Sequence, residues 1–373
     1  MIRQVVLIGG QLIPAYLGIK ERQPEIVHLI FTSETKLKLN NLVSQFNNIE
    51  FHQHQVEPYA FDEISELVEK LIFDSDGENW ELNLTGGTKV MALAAQNVFK
   101  GFNLESFYVD QKSRLFFFNN KTYVDIKGNI KISTFLKLSG HQDIRRKTLS
   151  DFSKEDFQLA EDIYQLHKTK DLDWLYGQIA TDLANRNYQE SYFKEIPKAG
   201  SVRWRNGVLE IKTSKIDYKA FEPNSLEICF TGLWWELMVA QQVRSWELKH
   251  EMMIGVELLS KSVGSNPKNE IDIILNTGKN MIFIECKSGN VKQEDINKMR
   301  AIMMVYGGLA SRSILVCRKL PRPDLLEKCS DLGIEVFALQ SRNKKSKKKG
   351  VVSITSLSQL NVKLSNLVDQ MQL

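Results

Sequence analysis

Three acidic side chains and one lysine in the C-terminal half of the chain have types and spacing suited to reactions at phosphate. In NEIDIILNTGKNMIFIECKSG (Asn269–Gly289), Asp272 precedes a turn, and Glu285 and Lys287 follow it two residues apart. Strand side chains alternate between faces, so Glu285 and Lys287 are same-face neighbours roughly 7 Å apart along the strand. Met281 and Phe283 belong to that face, and Ile282, Ile284 and Cys286 to the other. The turn NTGKN folds the first strand back and brings Asp272 beside the end that carries Glu285 and Lys287. A third acid, Glu236, lies upstream in GLWWELMVAQQV, in line with Val239, Ala240 and Val243 at helical spacing. A carboxylate in an apolar stripe is costly unless it is paired or bound to a cation.

One job accommodates all four. Hard divalent cations such as Mg²⁺ or Mn²⁺ take oxygen ligands, often one or two carboxylates plus substrate phosphate and water. Such an ion acidifies its bound water and stabilises charge at a scissile phosphate. A lysine beside it positions or deprotonates that water, or stabilises the developing negative charge. Acid, acid and lysine at a strand hairpin therefore describe a phosphodiester hydrolysis site. The plainer alternative is a same-face ion pair between Glu285 and Lys287, with Asp272 as a surface acid. The fuller order narrows it: a helical acid, the hairpin, then a helix opening at Lys292 and Gln293.

The elements that position these residues form a second α/β region starting near residue 222. It reads as helix (TGLWWELMVAQQVRSW), strand (MMIGVELLS), the hairpin, helix (QEDINKMRAIMMVY), strands RSILVCR and GIEVFAL, and a last helix from about Leu357. Upstream, residues 1–138 alternate strands and helices: QVVLIGG, EIVHLIFTS, NIEFHQHQV and WELNLT are separated by amphipathic stretches, and three β-rich runs close the region. That order predicts a mostly parallel, Rossmann-like sheet with an antiparallel edge. Residues 139–221 connect the two as a mostly helical linker with one hairpin, SVRWRNGVLEIKT, turned at Asn206-Gly207.

A second candidate site sits in the first region. LNLTGGTKVMALAAQ runs strand, glycine-rich loop, helix. Gly86 and Gly87 permit close backbone approach, the helix N-terminus after Thr88 attracts anions, and Lys89 adds positive charge. It is neither a Walker A loop nor GxGxxG, and a ligand-free tight turn fits the loop equally well. Two further loops sharpen it. Gly10 and Gln11 follow the first strand, and Thr32 and Ser33 the second. Ligands of open parallel sheets bind outside the carboxyl ends of the strands.

On these motifs the C-terminal region (222–373), with GLWWE, NEID and IECKSG, resembles the PD-(D/E)xK nuclease superfamily; Ile271-Asp272 stands where that family has Pro-Asp. The resemblance implies that Asp272, Glu285 and Glu236 bind metal and that Lys287 assists the attacking water. Residues 1–138, with NLTGGTKVMALA, resemble the CRISPR-associated Rossmann fold (CARF) domain. That resemblance implies a homodimer binding a cyclic oligoadenylate, the tetramer by expectation, through Gly10, Gln11, Thr32, Ser33, Thr85, Gly86, Gly87, Thr88 and Lys89. Together they imply an ancillary endonuclease of type III CRISPR antiviral defence, acting on DNA and/or RNA. Two other readings stay open: a nucleotide-responsive regulator that binds nucleic acid without cutting it, and a stand-alone restriction or repair nuclease.

Bulk properties fit these expectations. The 373 residues suffice for two domains. A net charge of +4 announces no nucleic-acid binder, so a basic surface must be local; RNKKSKKKG (342–350) is the one biased segment. Cys229, Cys286, Cys317 and Cys329 form no CxxC pair. With no transmembrane run, they point to a reduced, cytoplasmic protein. His52 and His54 share a strand face without an acid or thiol at ligand spacing, Trp234 and Trp235 are expected to pack the helix onto the sheet, and Trp204 is expected on a solvated hairpin.

Overall fold

The computed structural model describes residues 1–75, 79–141, 144–167, 175–177, 179, 182, 191–221, 224–258, 269–307, 311–339 and 356–372. The basic segment 342–350 lies outside them. The first sheet is built from β1 (Ile2–Leu7), β2 (Ile26–Phe31), β3 (Glu50–Gln55), β4 (Asn79–Asn83), β5 (Glu105–Val109), β6 (Arg114–Phe117) and β7 (Thr122–Asp125). Its order is β3-β2-β1-β4-β5-β6-β7. The first five strands run parallel, and β6 and β7 close the edge antiparallel. Helices α1 (Ile13–Arg22), α2 (Leu39–Val43), α3 (Phe61–Phe73) and α4 (Lys89–Gly101) connect the strands. Alternation along β1 sends Val5 and Leu7 into a core with α3 and α4, and Val6 and Ile8 into one with α1. This is the doubly covered parallel sheet that the alternating pattern predicts.

Helix α5 (Ile132–Leu138) leads into the second half. There β8 (Ile144–Lys147), β13 (Glu251–Leu258), β14 (Asn269–Asn276), β15 (Met281–Lys287), β16 (Ser311–Cys317) and β17 (Ile334–Ala338) form a six-stranded mixed sheet. The sheet carries α7 (Ser225–Thr231), α8 (Leu233–Arg244), α9 (Gln293–Ile302), α10 (Pro323–Asp331) and α11 (Leu360–Gln372). A π-helical turn, Met303–Gly307, continues directly from α9.

The connecting stretch builds into this half. It supplies β8 to the sheet edge, α6 (Lys154–Leu166), and a four-stranded antiparallel sheet of β9 (Tyr192–Ile196), β10 (Gly200–Arg205), β11 (Val208–Lys212) and β12 (Asp217–Ala220). Asn206 and Gly207 turn β10 into β11 with φ of 49° and 76°. Trp204 departs from expectation. It is buried rather than solvated, because alternation turns Val202 and Trp204 onto the core shared with Trp234 and Trp235 and leaves Arg203 and Arg205 outside.

One hydrophobic core crosses between the halves. It joins Val6, Leu29 and α1 of the first sheet to Phe135 and Leu136 of α5, and to Met281 and Phe283 of β15. The aromatic rings of Phe135 and Phe283 lie 6.4 Å apart. No helix among the described residues is long and apolar enough to cross a membrane.

Candidate active site

Both faces of β15 are packed, which explains why its charged residues gather at one end. Met281 and Phe283 enter the core shared with the first sheet; Ile282, Ile284 and Cys286 enter the core under α8. The ladder between β14 and β15 runs from Asn276–Met281 to Ile273–Ile284 and goes no further. At the next position the Asp272 carboxylate takes over: its Oδ2 accepts the Cys286 N–H at 2.6 Å. Across β14, Gly255 of β13 has φ 54° between the rungs Ile254–Ile273 and Val256–Ile271. Ile271 and Ile274 consequently face one core and Ile273 the other, so regular alternation fails at Asp272.

Glu285 is 2% exposed and carries two cations. Lys287 Nζ lies 2.9 Å from its Oε1, and Lys298 Nζ of α9 lies 3.1 Å from both of its oxygens. Lys287 also pairs with Asp295 of α9 at 3.2 Å. Glu236 projects, partly buried, from the first turn of α8, which Trp234 and Trp235 bolt to the sheet. Trp235 Nε1 donates to the Val316 carbonyl at 3.0 Å.

The carboxylates disturb one another. Burial, then Asp272, Glu270 and Glu285, push Glu236 well above the ordinary carboxylate range. Burial, then the Glu285 charge, lift Asp272 to about 7. For Lys287, burial works against the ammonium, but Glu285, Asp295 and Asp272 more than offset it and hold its pKa above the usual lysine value. Mutual repulsion among oxygen donors is what a bound cation relieves, so the donor set fits a hard divalent ion in kind. As they stand, no three acidic, histidine or cysteine side chains among the described residues are gathered closely enough to hold a metal ion.

The other candidate site lies at the carboxyl ends of the first sheet. Gly86 fits only as glycine, since a Cβ there would sit 2.0 Å from the Leu7 carbonyl oxygen. Gly87 has φ 74°. The loops after β1 and β4 are thus pressed together. They border a cavity of about 240 Å³ lined by Gly10, Gln11, Thr85, Gly86, Gly87 and residues of the β5 end. A second cavity, of about 560 Å³, is lined by Gly10, Gln11, Glu34, Lys38, His141 and, from the other half of the chain, Met304, Val305 and Tyr306.

Residues 4–135 match the family described as Card1 CARF domain, and residues 227–347 the family described as Card1-like, endonuclease domain. The chain joins a Card1-type CARF domain to a Card1-like endonuclease domain. No curated protein matches it. Among solved structures it is similar to protein VC1899 from Vibrio cholerae, with 16% identity and a TM-score of 0.74 over 99% of this chain and 98% of that one. It is also similar to Can2 from Sulfobacillus thermosulfidooxidans, solved with cyclic tetra-adenylate: 19% identity and TM-score 0.72 over 98% and 99%. A type III CRISPR defence DNA nuclease activated by cyclic oligoadenylate matches at 18% identity and TM-score 0.60. This chain spans about half of that one, covering 97% of itself and 51% of the nuclease. At these identities the structural likeness establishes the fold.

Within the CARF domain, five of the nine sequence candidates line the cavities: Gly10, Gln11, Thr85, Gly86 and Gly87. Thr32 is buried, its amide N–H bonded to Thr35 Oγ1, and Ser33 and Lys89 are exposed outside both cavities. Thr88 caps α4: its Oγ1 accepts the Met91 N–H at 3.1 Å and donates to the Pro58 carbonyl at 2.7 Å. The Thr85 hydroxyl also has inward partners, donating to Asn83 Oδ1 and accepting the Val109 N–H. His52 and His54 meet His28 of β2, whose Nδ1 lies 3.1 Å from His54 Nε2. Burial, then its two histidine neighbours, push His28 down to about 3, so His28 stays uncharged at neutral pH.

In the endonuclease domain the structure brings Glu236, Asp272, Glu285 and Lys287 together at one sheet end. Sequence reasoning missed Asp295 and Lys298. Their only signal was a helix opening directly after the hairpin, with Asp295 and Lys298 three residues apart on one face.

Proposed function

We propose that this protein is a metal-dependent endonuclease of type III CRISPR defence, switched on by a cyclic oligoadenylate, cyclic tetra-adenylate in particular. The observation that carries the reading is the acid–acid–lysine cluster at the parted end of β14 and β15, inside a domain matched as an endonuclease. The Can2 complex with cyclic tetra-adenylate supports the ligand, and the nuclease activated by cyclic oligoadenylate supports a DNA substrate, with RNA as a second arm of the test.

Asp272, Glu285 and Glu236 are the residues to hold Mg²⁺ or Mn²⁺. When bound, the ion supplies a more acidic water and neutralises charge at the phosphate. Asp272 is aimed by the Cys286 amide. Lys287 keeps its proton at neutral pH, which suits it to stabilising negative charge on the phosphate rather than abstracting a proton from water. In the CARF domain, Gly10, Gln11 and Thr85–Gly87 are placed to present loop backbone to a phosphate ring, with Thr32, Ser33, Thr88 and Lys89 as outer candidates. A two-fold symmetric ring suits a homodimer in which each subunit makes the same contacts. The four described cysteines are unpaired and buried, in keeping with a cytoplasmic setting.

The test is cleavage of single- and double-stranded DNA and RNA with and without cyclic tetra-adenylate and Mn²⁺. Equal cleavage with and without ligand overturns the sensor role. Nucleic-acid binding without cleavage under every condition favours the regulator reading.

A further inference from the structure

One helix has its two ends in the two sites. In its first turns α9 puts Asp295 on Lys287 and Lys298 on Glu285. Its continuation, the π-helical turn Met303–Gly307, puts Met304, Val305 and Tyr306 on the larger CARF cavity and Gly307 on the smaller. From Lys298 to Met304 is six residues, about 9 Å along the axis. Ile296, Met299 and Ile302 are the buried residues of the helix, and Tyr306 of the turn is buried as well, so one packed side joins the two ends. Met304 and Val305 are instead 71% and 55% exposed, turned to the same cavity as Gln11 and Lys38. π turns are uncommon and collect at functional sites.

We propose that Lys298 is the gate on the metal site: its ammonium holds both oxygens of Glu285 until a ligand bearing on Met304–Gly307 shifts α9 and withdraws it. The inference rests on the reading that the CARF cavities take the cyclic nucleotide and that Glu285 is a metal ligand. Lys298 is a positioning residue, since it acts through Glu285. The reason is competitive: both lone-pair sets that Glu285 would offer a cation face an ammonium. A charge-assisted bond of this kind is strong enough to cost a competing ion on the order of tenfold in affinity.

The experiment measures Mn²⁺ binding to the full chain by the electron paramagnetic resonance of free Mn²⁺, with and without cyclic tetra-adenylate. Wild type, Lys298→Met and Lys298→Arg are compared, with thermal melts to verify folding. In wild type the ligand tightens Mn²⁺ binding about tenfold. Lys298→Met binds Mn²⁺ that tightly without ligand, and ligand adds less than twofold; Lys298→Arg, which keeps the cation, behaves as wild type. The gate is overturned if Lys298→Met binds Mn²⁺ no more tightly than ligand-free wild type, or if Lys298→Arg frees the site as well. Should calorimetry show no cyclic tetra-adenylate binding at all, the sensor reading fails, while the ligand-free comparison of wild type with Lys298→Met still decides the gate.

Discussion

Replacing Asp272 by asparagine should make the metal-free protein more stable while abolishing its chemistry. Asp272 is 6% exposed, and burial and the Glu285 charge raise it from 3.8 to about 7. Because the folded-state value lies above the unfolded one, the native state holds a proton in that window that the unfolded state has released. Stability therefore falls as pH rises from 3.8 and levels off above about 7. The gap corresponds to about 4 kcal/mol at about 1.4 kcal/mol per pKa unit. Part of that penalty is shared with Glu236, and an amide oxygen is a weaker acceptor for the Cys286 N–H, by about 1 kcal/mol. A net gain of about 2–3 kcal/mol at pH 8 remains, which is about 5 °C or more in melting temperature. The assay is thermal melting in EDTA from pH 4 to pH 8, followed by tryptophan fluorescence. Wild type and Asp272→Asn should coincide near pH 4 and diverge above pH 6, and Mn²⁺ should stabilise wild type alone. An Asp272→Asn protein no more stable than wild type at pH 8, or one that loses stability with pH just as steeply, refutes the reasoning.

Glu285→Gln should reduce cleavage by at least about a hundredfold, a loss on the scale of removing a principal charge-stabilising group, while calorimetric binding of cyclic tetra-adenylate stays as in wild type. Gly86→Ala drives a Cβ to 2.0 Å from the Leu7 carbonyl and should lower stability by about 1–3 kcal/mol, with loss of ligand binding; a melt equal to wild type would contradict the loop packing. Trp235→Phe removes the 3.0 Å bond to the Val316 carbonyl inside the core and should cost about 1–3 kcal/mol by urea denaturation, with ligand affinity unmoved.

The sequence was readable where one force dominated. Alternation and turn chemistry placed Glu285 and Lys287 on one strand end, and the Asn206-Gly207 turn forms with both residues at positive φ. The strand–helix order was enough for the parallel sheet with its antiparallel edge. It was less readable where tertiary contacts compete with local pattern. β15 is buried on both faces, so neither face is a solvent rim, and Asp272 reaches Cys286 where Gly255, opposite it on the neighbouring strand, takes a positive φ just past the end of the β14–β15 ladder. Nothing in the period of β14 announces that break. Lys298 lies thirteen residues beyond Glu285 on a helix that reads as an ordinary amphipathic surface element. Only the docking of α9 turns it toward the acids. Trp204 was misread for a related reason: a basic, aromatic hairpin looks solvated until a second layer, α6 to α8, covers one of its faces.

How a ligand signal travels is constrained by how the halves are joined. The lead-in to α5 is stitched to the β14–β15 turn: Ile130 N–H donates to the Gly278 carbonyl at 3.1 Å, and Asn276 Nδ2 donates to the Ile130 carbonyl at 2.5 Å. The Ile132 N–H adds a bond to Glu251 at 2.7 Å, and a Cβ on Gly278 would sit 2.5 Å from Asn129 Oδ1, so that junction has no slack. Beside it, Phe135 and Phe283 share one core with the first sheet. Swinging the whole endonuclease sheet away from its own CARF domain would open that core and leave buried backbone groups unpaired, at about 1–3 kcal/mol for each orphaned group. A shift of α9 spares these backbone bonds, but Ile302 and Tyr306 belong to the same core as Phe135 and Phe283, so it has to slide within that packing. Within one subunit, a displacement that keeps the stitched junction and still acts on Glu285 through Lys298 is therefore a small slide of α9 inside this core, not a swing of the whole sheet.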